Sequence, residues 1–315
     1  MENIFQSDEW ADFKLATGYQ ESFRINSILI LKKILPFGRS MLYSPMVSGS
    51  QVAGLRAQTF IDQVNSIVLK SKSIFFRLEL DVPSDNEAIK QFNNLRKPGF
   101  RKAFEEMQPE NSLVIDLAKT EEEILSGMKQ KGRYNIKIAR NAGLLISSDN
   151  KKGEMLDNFY WLYTETAKRQ KITFRAKAYF EKLLDNLGGK DYARLYNVYA
   201  RNPDDGKVLS AAIVVYSGEK AIYLFGASSD EHRNLMAPYL MQWQMIRDAK
   251  EKGYKTYDFF GIAPNDDENH PWAGITRFKK QFGGEEIKIL GSYDLVFKPF
   301  EYKVFKMAEK LRRKS

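Results

Sequence analysis

The sequence predicts an α+β fold of two domains, each a mixed central sheet flanked by helices. Three observations carry this. Strand-like and helical patterns alternate along all 315 residues, hairpin strands followed by a helix and another strand occur twice, and the pattern breaks near Pro109. A chain of this length buries two cores of ordinary size more readily than one large core.

The elements follow in order. Phe23 to Leu35 and Met41 to Met46 read as strands on either side of a Pro36-Phe37-Gly38 turn. A helix over about Gly54 to Leu69 precedes a strand from Ile74 to Val82, where Phe76, Leu78, Leu80 and Val82 alternate with charged neighbours. Asn86 to Leu95 reads as a helix broken by Lys97-Pro98-Gly99. The second domain opens with a strand from Leu113 to Leu117 and a helix capped by Thr120, with Glu123 three residues on. Lys129 to Asn141 is the most basic stretch, with Tyr134 and Ile136 interleaved. Leu156, Phe159, Tyr160 and Tyr163 share one face of an amphipathic helix, and a second helix spans Ala178 to Leu187. Three strands come next, Ala193 to Ala200, Val208 to Tyr216 and Ala221 to Phe225, with Asn202 to Gly206 as a hairpin turn. Helix Met236 to Lys252 stops at Gly253 and leads to a strand from Thr256 to Phe260. A strand from Ile287 to Phe297, a helix after Pro299 and the basic tail Lys310 to Lys314 finish the chain.

Cysteine is absent, which removes disulfides, thiol catalysis and cysteine-ligated metals. The longest apolar runs, such as Ala211 to Tyr216, are strand-length, and the N-terminus lacks a signal-peptide pattern, so a cytoplasmic protein is expected. The net charge of +9 implies nucleic acid, anionic lipid or a phosphorylated small molecule as partner, and equally fits a generally basic protein. Only His232 and His270 exist, and there is no Walker A loop, G-x-G-x-x-G or G-x-S-x-G. Metal, hydride and serine-hydrolase chemistries recede accordingly.

One segment is richer than the rest. Gly274 to Gly284 sets Arg277, Lys279 and Lys280 among Phe278 and Phe282 and ends in a glycine pair, after the stiff approach His270-Pro271-Trp272. It fits one short helix stopped by glycine, which enters the left-handed C-cap without steric cost. Such a helix can aim a cation and an aromatic face at an anionic intermediate or a nucleic-acid end. An ordinary basic surface helix has the same composition. Upstream, Phe225 to Tyr239 forms a β–α junction of the kind that cradles coenzyme A pyrophosphate in acetyltransferase-type folds. Here Arg233 to Ala237 contains no glycine, so a fold of that type would need another acyl donor.

At these residues the chain resembles the Fem family of peptidoglycan interpeptide-bridge aminoacyltransferases. Leu224 to Gly261 and Gly274 to Gly284 carry the specific part; Gln6 to Lys14, Lys171 to Arg175 and the overall spacing agree. The resemblance implies two tandem acetyltransferase-like (GNAT-like) domains, residues 1–109 with 290–315 and residues 110–289, enclosing the acceptor. It implies aminoacyl-tRNA as co-substrate without metal or coenzyme A, and a UDP-linked muropeptide pentapeptide or its lipid-linked form, lipid II, as acceptor. The acceptor's side-chain amine attacks the aminoacyl ester, forming an amide and releasing tRNA.

The same resemblance distributes roles. Lys279, after Phe278, matches the catalytically important lysine, suited to stabilise an oxyanion or the departing ribose oxygen. Lys14 and Arg175 match residues holding the acceptor's phosphates. Tyr179, placed on one helical face with Arg175, matches a further acceptor contact, and Glu79 stands where a carboxylate is expected. Phe225 and Ile74 replace tyrosines of a relative, which leaves open a different acceptor or binding by stacking. No long helical arm fits between Leu144 and Gly284, so the short form is implied. Lys129, Lys131, Arg133, Lys137 and Arg140 are candidate tRNA contacts, together with Arg277 and Lys280. A monomer with peripheral contact to the inner membrane surface is expected. The alternatives are transfer to a protein N-terminus or a lipid, and a non-catalytic RNA- or membrane-surface-binding protein.

Overall fold

The computed structural model describes residues 3–84, 89–90, 92–93, 99–170, 173–200 and 207–312. The Asn202 to Gly206 turn, most of the Asn86 to Leu95 helix and the end of the basic tail lie outside them. The chain divides into two compact units, Glu2–Glu110 with Lys288–Ser315, and Asn111–Ile287.

In the first unit a capped helix, Asp8–Ala16, precedes β1 (Tyr19–Ile25), β2 (Ile28–Ile34), β3 (Ser40–Ser48), β4 (Ser73–Pro83) and β5 (Arg101–Lys102). The expected single strand from Phe23 to Leu35 is instead the hairpin β1–β2, which turns at Asn26, a residue at φ +52°. Asparagine tolerates that left-handed conformation, so an unbroken apolar alternation hides a two-residue turn. β1, β2 and β3 are antiparallel; β3 and β4 are parallel, joined through the helix Ala57–Ser71. Phe60, Val64 and Val68 of that helix and Phe76, Leu78 and Leu80 of β4 belong to one core.

Two of the charged neighbours in β4 do not face water. Arg77 and Glu79 are both fully buried, so both faces of the strand are covered. Burying charge is costly unless it is paired and hydrogen-bonded: Arg77 is ion-paired with Asp294, and Glu79 accepts from the Tyr43 hydroxyl.

The second unit contains β6 (Asn111–Asp116), β7 (Leu145–Asp149), β8 (Ala193–Tyr199), β9 (Val208–Ser217), β10 (Lys220–Ser228) and β11 (Thr256–Asp258). Its sheet order is β6-β11-β10-β9-β8-β7. β7 to β10 are antiparallel, and β10 and β11 are parallel, linked through the helix Ala237–Glu251. Every residue of β9 is buried, as a central strand covered on both faces requires. The two units thus share one build: three antiparallel strands, a helix and a parallel fourth strand, β1–β4 in one and β8–β11 in the other. The capping box of Thr120 and Glu123 forms as read. From this unit β12 (Glu285–Val296) carries the chain back to pair antiparallel with β4. The helix Pro299–Arg312 follows.

Candidate active site

The segment from Gly274 to Gly284 folds as the helix Ala273–Lys279, continued by a 3-10 turn over Lys280–Phe282. His270 Nδ1 accepts from the Trp272 N–H at 3.1 Å, and the Thr276 hydroxyl accepts from the Ala263 N–H at 2.8 Å. The stop is steric as well as conformational. Gly283 and Gly284 sit at φ +73° and +91°, and a Cβ on them would lie 2.4 Å from the Gly127 carbonyl and 2.6 Å from that of Val114.

Lys279, which composition places among surface cations, is 6% exposed. Its Nζ donates to the Gly261 carbonyl at 2.7 Å and to the Phe260 carbonyl. Those oxygens are presented by a bend in which Phe260 is left-handed, at φ +54°, and which ends β11 two residues earlier than the pattern suggests. Asp258 anchors the bend, its carboxylate accepting from the Phe260 N–H at 2.7 Å and from the Ser112 hydroxyl. Burial pulls the Lys279 ammonium down to about 7, and the Asp258 carboxylate opposes that shift. An ammonium has three N–H donors, so two on carbonyls leave one for an incoming anion.

Beside this group lies a cavity of about 260 Å³ whose walls include Tyr223, Tyr239, Ile275, Phe278 and Arg233. The Tyr223 ring centroid is 5.8 Å from Lys279 Nζ. Burial pushes the Tyr223 phenol up to about 12, so it stays neutral and able to donate at physiological pH. Gly226 is obligatory here, since a Cβ on it would fall 1.7 Å from the Tyr223 hydroxyl oxygen. Phe278 meets Tyr239 edge-on at 5.1 Å and Phe282 at 5.4 Å, which fixes its ring as a wall.

Arg175 does not share a helix face with Tyr179, because the helix begins at Lys177. Its guanidinium instead stacks over the Tyr179 ring at 4.3 Å. Tyr179 and Phe225 are 6.3 Å apart, and Phe180 and Tyr163 also meet Phe225 edge-on, at 5.1 and 6.4 Å. Phe225 is therefore one ring of a packed aromatic pile. Burial raises the Tyr179 phenol, and Arg175 opposes it. β10 unites the two groups, with Tyr223 beside Lys279 and Phe225 edge-on to Tyr179, over which Arg175 stacks.

In the first unit, Lys14 and Glu79 prove to be ends of one chain of contacts. Lys14 Nζ lies 5.0 Å from the Trp10 ring and 5.7 Å from Tyr19; Tyr19 stacks on Tyr43 at 6.3 Å; the Tyr43 hydroxyl donates to Glu79 at 2.5 Å. Burial raises the Glu79 carboxyl to about 7, held back by bonds from Tyr43 and the Gln108 N–H. Ile74, the other replaced tyrosine position, is buried at the start of β4 and presents no surface to an acceptor.

The basic run forms the helix Gln130–Asn141, with Lys129 as its N-cap. Lys129, Lys131, Arg133, Lys137 and Arg140 are all exposed, as is Tyr134. This helix is fastened to the lysine-bearing segment: the Lys129 N–H donates to the Gln281 carbonyl at 3.0 Å, and Gly132 packs so closely that a Cβ would lie 2.3 Å from that oxygen. Arg277 is exposed, whereas Lys280 is half-buried and paired with Glu286.

Sequence reasoning missed Asp258, Tyr223, Tyr19 and Tyr43. The one available signal was Asp258, an acid inside the otherwise aromatic Tyr257-Asp-Phe-Phe260.

The two-unit α+β fold is that of the solved structure of FemX, which superposes with a TM-score of 0.81 at 21% identity, covering 96% of this chain and 94% of that one. L-PGS of Bacillus licheniformis shares the fold more distantly, with a TM-score of 0.57 at 13% identity, over 91% of this chain and 87% of that one. The chain belongs to the FemAB family, whose model matches residues 81–201 and 190–310. Similar sequences include the lipid II:glycine glycyltransferase of Staphylococcus haemolyticus, 25% identical over 93% of this chain and 88% of the relative, and that of Staphylococcus aureus (strain USA300), 23% identical over 99% and 95%. The latter alignment runs over 405 positions against 315 residues here, so that relative carries segments this chain lacks.

Proposed function

We propose that this protein transfers an amino acid from aminoacyl-tRNA to the stem peptide of a peptidoglycan precursor, with lipid II as the acceptor. The observation that carries the reading is Lys279, an ammonium with one uncommitted N–H, held rigidly by backbone beside an aromatic-walled cavity. The named activity of the staphylococcal relatives supports the acceptor. The acceptor amine attacks the ester carbonyl carbon, and the new C–N bond raises an oxyanion that the Lys279 N–H meets. Collapse breaks the C–O bond, the ribose oxygen leaves with the tRNA, and the proton lost by the amine goes to it. The exposed face of the Gln130–Asn141 helix takes the tRNA backbone, because phosphate neutralisation needs dense Lys and Arg.

Incubating the protein with charged tRNA and a lipid-linked or UDP-linked muropeptide should give a precursor heavier by an aminoacyl residue in mass spectrometry. Absence of product with both acceptors would overturn the reading. Arg175 is proposed for the acceptor's phosphates, so Arg175→Met should raise the acceptor KM about tenfold with the tRNA KM unchanged, the loss of one charge-assisted bond. Lys14→Met is the parallel measurement in the first unit. Asp258 acts through Lys279: its negative charge favours the ammonium, so Asp258→Asn lowers the lysine pKa further. The alkaline limb of the rate profile then moves to lower pH, an outcome that a purely structural role would not produce.

A further inference from the structure

The large apolar side chains exposed in the first unit, among the described residues, all gather at one end of its sheet or on the helix that starts there. Phe37, in the β2–β3 turn, is 96% exposed; Leu69, in the last turn of the helix Ala57–Ser71, is 80% exposed. The helix Pro299–Arg312 adds Phe300, Val304, Met307 and Leu311, spaced as one stripe, with Phe300 77% and Leu311 69% exposed. Its opposite face is already satisfied: Tyr302 and Phe305 pack on Phe75 at 5.1 and 5.3 Å. The helix therefore turns apolar residues outward, the reverse of a surface helix whose apolar stripe faces the core.

These pieces are fixed beside one another. Arg39 pairs with Glu301 at 3.6 Å, tying the Phe37 turn to the first turn of the C-terminal helix. The Ser40 hydroxyl donates to the Ser71 carbonyl at 2.9 Å, holding the end of the Leu69 helix against β3. Cations neighbour the apolar side chains in sequence: Lys70, Lys72, Lys303 and Lys310 are exposed, as is Arg39, which pairs with Glu301.

We infer that this end of the first unit is a docking surface for a bilayer rich in anionic phospholipid. Aromatic and aliphatic side chains enter the acyl boundary while the lysines and arginine meet the head groups. The charge selects this occupant. A second copy would oppose these cations with their like, and a nucleic acid would leave Leu69, Val304, Met307 and Leu311 with nothing to pack against. No described helix is long and apolar enough to cross a membrane, so the contact is peripheral. The inference goes beyond the transfer reaction and does not depend on it.

The test is sedimentation of the full chain with vesicles of phosphatidylcholine, with and without phosphatidylglycerol. Binding should require the anionic lipid and weaken steeply with salt. Phe37→Ser with Phe300→Ser should reduce partitioning about tenfold or more at an unchanged unfolding curve, since each phenyl ring loses its transfer into the acyl boundary. Lys303→Gln with Lys310→Gln, which touches no packing, should lower it on anionic vesicles as well. Equal binding to neutral and anionic vesicles, or binding indifferent to both pairs, overturns the inference. So does a wild type that ignores vesicles and self-associates through these residues.

Discussion

Replacing Lys279 with methionine lowers the transfer rate by a factor of about 10²–10³, the usual loss when one preorganised oxyanion donor is removed. The reduction appears in kcat, because the group engages charge that develops only after attack. Lys279→Arg retains a cation but not the shape of the two-carbonyl cradle, so it recovers part of the rate. It also changes the pH response. With the wild-type ammonium at about 7, its charged fraction falls as pH rises through neutrality, and the lysine-dependent part of the rate falls with it. A guanidinium stays charged, so the arginine variant loses that alkaline limb. Stability moves the other way. The folded value lies below that of an unfolded lysine, so the unfolded chain binds more protons between about 7 and 10.5. The buried amine costs stability below that window, and the cost is relieved as pH rises across it. A single-turnover assay over pH, beside thermal unfolding, reads both. A rate unaltered in Lys279→Met would remove the lysine from the reaction.

What was legible in the sequence was what the backbone period and the end-caps encode. Thr120 with Glu123, Gly253, and the glycine pair at Gly283 each mark a boundary by local chemistry, and the structure puts boundaries there. β7 was not legible because it is a mostly exposed edge strand, Leu-Ile-Ser-Ser-Asp, without apolar alternation. The Asn26 hairpin was hidden because Ile25 and Ile28 continue the apolar run through the turn.

The site was legible only in part, for a related reason. Lys279 reads as one of three cations in a short helix, and what sets it apart is a pair of backbone carbonyls 18 and 19 residues earlier. A carbonyl has no side-chain signature, so no residue pattern announces the cradle. The resemblance singled out the lysine without giving the reason it is buried. The alternation in β4 singled out only Phe76, Leu78, Leu80 and Val82 and left the burial of Arg77 and Glu79 unread, because the second face of β4 is covered by the helix Pro299–Arg312 and the stretch around Glu105. Both are read correctly only when the return of the chain into the first unit is known.

That return has its own measurable consequence. Arg77 is fully buried and bonds Asp294 through Nε and Nη2, each at 2.8 Å, with Glu105 at 3.0 Å on Nη1. Asp294 also accepts from the Tyr302 hydroxyl at 2.6 Å. Burial alone lowers the guanidinium's pKa, but the bonds to Asp294 and Glu105 outweigh it and hold it above the usual range. This network joins β4 to β12 and the C-terminal helix, which follow it by more than 200 residues in the chain. Arg77→Met should therefore destabilise the protein by about 3–5 kcal/mol, because it leaves Asp294 a buried carboxylate without its counter-charge. Arg77→Met with Asp294→Leu should recover part of that loss, since it removes one of the two carboxylates that the guanidinium compensates. Urea unfolding of the three variants decides it. If the double variant is no more stable than Arg77→Met alone, the loss comes from packing and not from the orphaned charge. The wild-type transfer rate should be unchanged in the double variant, because the pair holds the C-terminal segment in the first unit and touches nothing that reacts.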